Sequence, residues 1–226
     1  EHNLKSIGIV RGEEVDINNP TLTLCRSYGM QLIPVSRELY RSRHDQVWLE
    51  QLARQFPDYF QIPEGGTCKA AVQGVSELDM CNTPAGPASL LICAVGSGGT
   101  VAGLIHGAQN TPVLGIAVVK DPGLPDKIKQ FLPADHSWPE WQLVQALHQP
   151  RYGHFDHQLW QFCLAFTDQA VQLEPIYTGK ALYTVFELLK SGVIPAGSRL
   201  SFFHTGGLQA LKGLAYRGLL PGSGPA

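Results

Sequence analysis

The sequence predicts an α/β protein: open, mostly parallel twisted sheets with helices on both faces. Three observations carry this. Short apolar runs alternate with helix-period segments from one end to the other. The chain is 44% apolar but only 16% charged, against about 25% in an average soluble domain. Gly (24) and Pro (16) are plentiful, as many tight connections between buried elements require.

In chain order, the expected strands are Ser6 to Arg11, Gln31 to Val35, Tyr59 to Ile62, Leu90 to Val95, Val113 to Val119, Gln142 to Val144, Val171 to Leu173 and Leu200 to His204. Leu49, Leu52, Ala53 and Phe56 recur at i, i+3, i+4, i+7 and predict a helix. The same spacing holds for Val101, Leu104, Ile105 and Ala108, and for Leu182, Val185, Phe186 and Leu189. Gly192 and Pro195 end the last of these helices, and Leu220 to Ala226 has no periodicity and reads as a tail. A boundary is expected near the Gly-rich segment Glu64-Gly65-Gly66, giving a partial small lobe over 1–58 and a larger lobe over 59–226.

Composition restricts the function. With 17 Lys plus Arg against 19 Asp plus Glu, the chain lacks the basic excess of a nucleic-acid binder. No apolar run approaches the ~20 residues of a membrane span, and Glu1 to Lys5 lacks a secretion core, so the expectation is a cytoplasmic protein with no membrane partner. The five cysteines form no CxxC pair, and His154 and His157 have no third ligand at metal spacing; no metal site is expected.

The clearest chemical signal is Leu90 to Leu104: a buried strand, the turn Gly96-Ser97-Gly98-Gly99-Thr100, then a helix. Such a turn directs free backbone N–H groups and the helix dipole at an anion, and its glycines admit a phosphate to the backbone. It is not a P-loop, since no GK[ST] follows, and Val101 stands where a GxGxxG motif would have its last glycine. Asp121, about one βα unit later, keeps a dinucleotide reading open, and the bland alternative is a tight turn without a ligand. Two further Gly-Gly turns, Glu64 to Thr67 and His204-Thr205-Gly206-Gly207, have the same form. A fourth segment, Leu173 to Lys180, follows a strand and enters a helix, bringing Tyr177 and Thr178 to the same sheet edge.

These four segments, in this order, resemble the D-cysteine desulfhydrase and 1-aminocyclopropane-1-carboxylate deaminase family of pyridoxal-phosphate enzymes, from Ile7-Gly8-Ile9-Val10-Arg11-Gly12-Glu13 to His204-Thr205-Gly206-Gly207. The resemblance implies the two-lobe fold of the tryptophan synthase β chain, lacking part of its N-terminal region, and a homodimer. It implies that Gly96, Ser97, Gly98, Gly99 and Thr100 hold the pyridoxal 5'-phosphate phosphate. By the same resemblance Tyr177 and Tyr152 match active-site tyrosines, and Thr178 matches the position that faces the pyridine nitrogen. The family's deaminases resemble one another in having Glu after the PxY tyrosine and Leu after the His of HxGG. The desulfhydrases carry hydroxyl residues there, as this chain does in Thr178 and Thr205.

The expected function is therefore a lyase acting on a small amino acid, D-cysteine desulfhydrase-like, giving pyruvate, sulfide and ammonia. The alternatives are 1-aminocyclopropane-1-carboxylate deaminase, a lysine-free phosphate-binding module and a nucleotide-binding domain. The family's cofactor lysine lies in a segment resembling GNKxRKLE, followed by QSNH, and neither string occurs here. None of the eight lysines takes that place, so the sequence is expected to be part of a longer enzyme.

Overall fold

A computed structural model describes residues 4–14, 16, 18–148, 151–167 and 171–221. The chain divides into two compact units, Glu1–Gln61 with Gln209–Ala226, and Ile62–Leu208. The division falls just after the expected 58/59 boundary, and the C-terminal segment belongs with the first unit rather than with the larger lobe.

In the first unit, β1 (Ile7–Arg11) and β2 (Gln31–Val35) pair in parallel, Ile7 opposite Gln31 and Arg11 opposite Val35. Helix α1 (Pro20–Ser27) connects them; the Asn19 side chain accepts from Thr21 N and Leu22 N, and Pro20 enters at the first turn, where it has no hydrogen bond to lose. Helices α2 (Arg37–Arg41) and α3 (Gln46–Gln55) follow, and Trp48 of α3 is buried. Further along the chain in the same unit, α9 (Gln209–Tyr216) packs on α1, and Tyr216 donates to Asp16 Oδ1 at 3.3 Å. That packing explains why the C-terminal segment returns to this unit.

The second unit holds α4 (Lys69–Ser76), a short antiparallel hairpin of β3 (Asn82–Thr83) and β4 (Gly86–Pro87), then β5 (Leu90–Val95), α5 (Gly99–Gly107), β6 (Val113–Ala117), α6 (Leu124–Lys129) and β7 (Trp141–Gln145). After them come α7 (His157–Ala165), α8 (Thr178–Lys190) and β8 (Leu200–Phe203). Four strands form a parallel sheet in the order β7-β6-β5-β8. Strand side chains alternate between faces, so Leu91, Cys93 and Val95 of β5 join Val101, Leu104 and Leu124 of α5 and α6. Ile92 and Ala94 face the other way, onto Ala181 and Val185 of α8. Both faces are thus covered, which is why β5 reads as an unbroken apolar run.

Two expected strands do not form among the described residues. Tyr59 to Ile62 is irregular, between Pro57 and Pro63, with Phe60 and Ile62 largely exposed. Its apolar residues have no neighbouring strand to bury against, and Pro63 removes a ladder donor. Val171 to Leu173 has no regular structure; Leu173 buries instead beside Leu159 and Cys163 of α7, and Pro175 ends any ladder. The β3–β4 hairpin is an addition to the expected elements, because two-residue strands carry no periodicity. Among the described residues, no helix is long and apolar enough to cross a membrane.

Candidate active site

The site is built at the carboxyl ends of the parallel strands in the second unit, where open α/β sheets leave a crevice. Strand β5 ends at Val95, and Gly96 to Gly98 turn the chain into α5. Gly98 has φ +96°, and a Cβ there would lie 2.9 Å from Ile128 Cγ1, so both backbone and space demand glycine. No side chain caps the start of α5, so its first N–H groups face a small hollow lined by Ala94 to Val101.

The Glu64–Gly66 turn packs against this loop. A Cβ on Gly65 (φ +76°) would lie 2.8 Å from Ser97 Oγ, and one on Gly99 would lie 2.7 Å from Thr67 Oγ1. Ser97 Oγ and Thr67 Oγ1 are hydrogen-bonded at 2.6 Å. Two of the three Gly-Gly turns seen in the sequence are therefore joined. Thr67 is a neighbour of the loop that its spacing, thirty residues away, could not disclose.

Tyr177 sits at the N-terminus of α8, its Cε1 3.0 Å from where a Gly96 Cβ would stand. Its ring meets that of Tyr152 edge-on, with centroids 6.0 Å apart. Burial pushes the Tyr177 phenol up to about 12, with Tyr152, Glu174 and Glu64 adding to the effect. The phenol is therefore protonated across the ordinary pH range and available as a donor. Tyr152 is largely exposed.

The two threonines differ. Thr178 is fully buried; its hydroxyl donates to Glu174 Oε1 at 3.0 Å. Thr205 is exposed on the turn after β8. Beside it, His204 Nε2 lies 2.9 Å from Gln172 O, while His204 Nδ1 accepts from Gly206 N at 3.1 Å. With both ring nitrogens engaged by backbone groups, this histidine holds the turn rather than serving as a free base.

Sequence reasoning misses two buried ionisable groups. Glu174 is fully buried and receives Ile176 N, Tyr177 N and Thr178 N as well as the Thr178 hydroxyl. Burial pushes its carboxyl above the ordinary range, and bonds from Thr178, Ile176 and Tyr177 oppose the push. A carboxylate shortly before a helix start is the signal that could have found it. Lys180 is also fully buried, its Nζ donating to Arg151 O at 2.7 Å, next to Tyr152. Burial draws its amine down to about 8, with Glu174 opposing.

Asp121 is committed elsewhere: its Oδ2 is 2.7 Å from Lys127 Nζ and its Oδ1 accepts from Gly123 N. The Lys127 hydrogen bond holds its carboxyl below the ordinary range. A ribose-binding role for it loses its support. His157 begins α7 with its Nε2 3.3 Å from Gln161 Nε2, and no group of three or more His, Cys, Asp or Glu suited to a metal occurs among the described residues.

No protein-family model matches the chain. It is 31% identical over 130 residues to the "Putative 1-aminocyclopropane-1-carboxylate deaminase" of Pyrococcus furiosus, a stretch covering 52% of this chain and 39% of that protein. Proteins of the same name from Pyrococcus abyssi and Thermotoga maritima are 28% and 26% identical over 92% and 93% of this chain, and 68% and 72% of their own lengths. Among solved structures, one described as an ACC deaminase homologue aligns with a TM-score of 0.70 at 25% identity, over 95% of this chain and 69% of its own. O-ureido-L-serine synthase shares the fold at 14% identity, with a TM-score of 0.60 over 92% of this chain and 67% of its own.

Proposed function

The chain belongs to the fold type II family of pyridoxal-phosphate enzymes, and we propose that its Gly96–Thr100 loop holds the phosphate of pyridoxal 5'-phosphate in a lyase acting on a small amino acid. One observation carries this reading: an uncapped helix N-terminus with a left-handed glycine, Gly98, in a loop whose Gly96 lies against Tyr177, which in turn meets Tyr152. The donor set suits a phosphate, since no side chain caps the first N–H groups of α5, and close packing of Tyr177 on Gly96 and of Thr67 on Gly99 leaves no room for a Cβ at either glycine. Lys180 is fully buried, but its amine is bound to Arg151 O.

When bound, the cofactor supplies the electron sink that stabilises negative charge at the substrate α carbon. The chain's own residues then have separable tasks. Backbone N–H groups of the loop and the start of α5 neutralise the phosphate, with the hydroxyls of Ser97 and Thr100 as further donors. Tyr177, kept protonated, offers its hydroxyl as a hydrogen-bond donor to the group leaving the β carbon, without giving up the proton. Tyr152 stands edge-on to it. Thr205 is the hydroxyl open to a ring nitrogen, since the proton of Thr178 is already given to Glu174.

The hydroxyls at 178 and 205 favour D-cysteine as substrate, with pyruvate, sulfide and ammonia as products, in a cytoplasmic homodimer. A second reading, deamination of 1-aminocyclopropane-1-carboxylate, is favoured by the names of the relatives. The test is to incubate the protein with pyridoxal phosphate and each amino acid, measuring sulfide and 2-oxo acids. Sulfide with pyruvate from D-cysteine supports the first reading, and 2-oxobutyrate without sulfide transfers the assignment to the second. Cofactor binding with neither product reduces the protein to a binding module.

A further inference from the structure

Glu174 is buried, carries a carboxyl group, and has no task in the chemistry above. Among the described residues, every group hydrogen-bonded to its carboxylate is a donor. Oε2 accepts from Ile176 N at 2.7 Å and Tyr177 N at 3.0 Å; Oε1 accepts from Thr178 N at 2.6 Å, Tyr177 N at 3.0 Å and Thr178 Oγ1 at 3.0 Å. Three consecutive backbone N–H groups at the start of α8, which would otherwise lack partners, close on one side chain. The carboxylate also lies against the turn after β8: a Cβ on Gly207 would stand 3.5 Å from Glu174 Cγ and 3.6 Å from Oε1.

Resting on the cofactor reading only for the importance of Tyr177, we propose that Glu174 is the positioning residue that seats the Tyr177 ring on Gly96. The residues between carboxylate and ring have no regular structure of their own. Tyr177 lies at φ −121° and ψ −73°, outside the helix, and its conformation is set by where its N–H is drawn. Glu174 draws it. With the N–H of Tyr177 and of both neighbours fixed on one carboxylate, the ring is directed at Gly96, where only a residue without Cβ leaves it room. A glutamine cannot replace this group, because its amide NH2 would turn two more hydrogens on donors that need an acceptor. Proline at 175 contributes by having no N–H to compete.

The test follows the ring, independently of any reaction. In the full chain with labelled tyrosine and glycine, the Tyr177 ring protons give a nuclear Overhauser contact to Gly96 Hα, assigned by its loss in Tyr177→Phe. In Glu174→Gln this contact is expected to disappear while amides of β5 and β6 keep their shifts. The Tyr177 phenol, which also faces Tyr152 and Glu64, is expected to titrate lower than in the wild type. A retained contact would show that Glu174 only caps the helix, overturning the proposal. Should Glu174→Gln not fold, acid titration of the wild type separates the same two outcomes. The Tyr177 ring shift must follow the Glu174 carboxyl with one midpoint, and independent midpoints overturn the proposal. Pyridoxine 5'-phosphate binding is measured separately, so a failed cofactor reading is not mistaken for a failed Glu174 assignment.

Discussion

Replacing Lys180 by Met should change how stability depends on pH, in a way the buried groups fix in advance. Lys180 is fully buried and its amine is drawn from 10.5 to about 8 by burial. Between those values the unfolded chain holds a proton that the folded chain does not, so stability rises with pH. The limiting slope is about 1.4 kcal/mol per pH unit, and the whole displacement amounts to roughly 3 kcal/mol. The thiols of Cys93 and Cys163 act in the opposite sense. Burial pushes both from 9.0 up to about 12, so above 9 the folded chain keeps protons that the unfolded chain loses, and stability falls. The wild type should therefore show a shallow stability maximum at about pH 9. Lys180→Met should show only the decline, so that the difference between the two changes by about 1.3 kcal/mol from pH 7 to pH 9. Urea unfolding followed by fluorescence in a Trp48→Phe background measures this, since Trp138, Trp141 and Trp160 then report only the second unit. Parallel curves for wild type and Lys180→Met over that range would show that the buried amine does not titrate as its surroundings require.

Gly98→Ala forces a side chain into φ +96° and against Ile128, and should cost about 2–5 kcal/mol in urea unfolding; a loss below about 1 kcal/mol would mean the turn relaxes freely. Thr178→Ala removes a buried hydroxyl bonded to a carboxylate and should cost about 1.5–3 kcal/mol, whereas exposed Thr205→Ala should leave stability within about 0.5 kcal/mol and weaken cofactor binding instead. Maleimide labelling at pH 8 followed by peptide mass analysis should leave Cys93 and Cys163 unmodified in the native chain, because their thiols are buried and protonated; rapid modification of either would be incompatible with the packing around β5 or α7.

Much of the second unit is legible in the sequence because its elements announce themselves. Strand β5 is an unbroken apolar run because both faces are covered, and α5 carries the helical period through its buried residues; in α8 Val185 is buried and Leu182 and Leu189 partly so, while Phe186 of the same period is exposed. The Gly96–Thr100 turn is legible for a related reason, since glycines at a strand end have few other uses. What escapes is contact across long sequence separations. Nothing near Ser97 points to Thr67, and nothing in the periodicity of Gln209 to Tyr216 says that the last helix packs on α1. The apolar runs at Tyr59 and Val171 mislead because composition reports burial or exposure only through a partner, and neither run has a partner strand among the described residues. Glu174 and Lys180 are passed over because a charged residue in a sequence reads as surface. Their burial follows from the turn into α8, where Glu174 gathers N–H groups and Lys180 finds Arg151 O.

Whether Gly96 to Thr100 cradle the phosphate of pyridoxal phosphate is decided by amide NMR during titration with pyridoxine 5'-phosphate. That ligand has the phosphate and ring but no aldehyde, so it needs no lysine. Saturable shifts are expected, centred on the amides of Ser97, Gly98, Gly99 and Thr100, extending to Tyr177 and Thr205, and absent when pyridoxine without phosphate is used. Equal response to both compounds, or shifts confined to residues away from this loop, would mean that the loop is a tight turn and not a phosphate site.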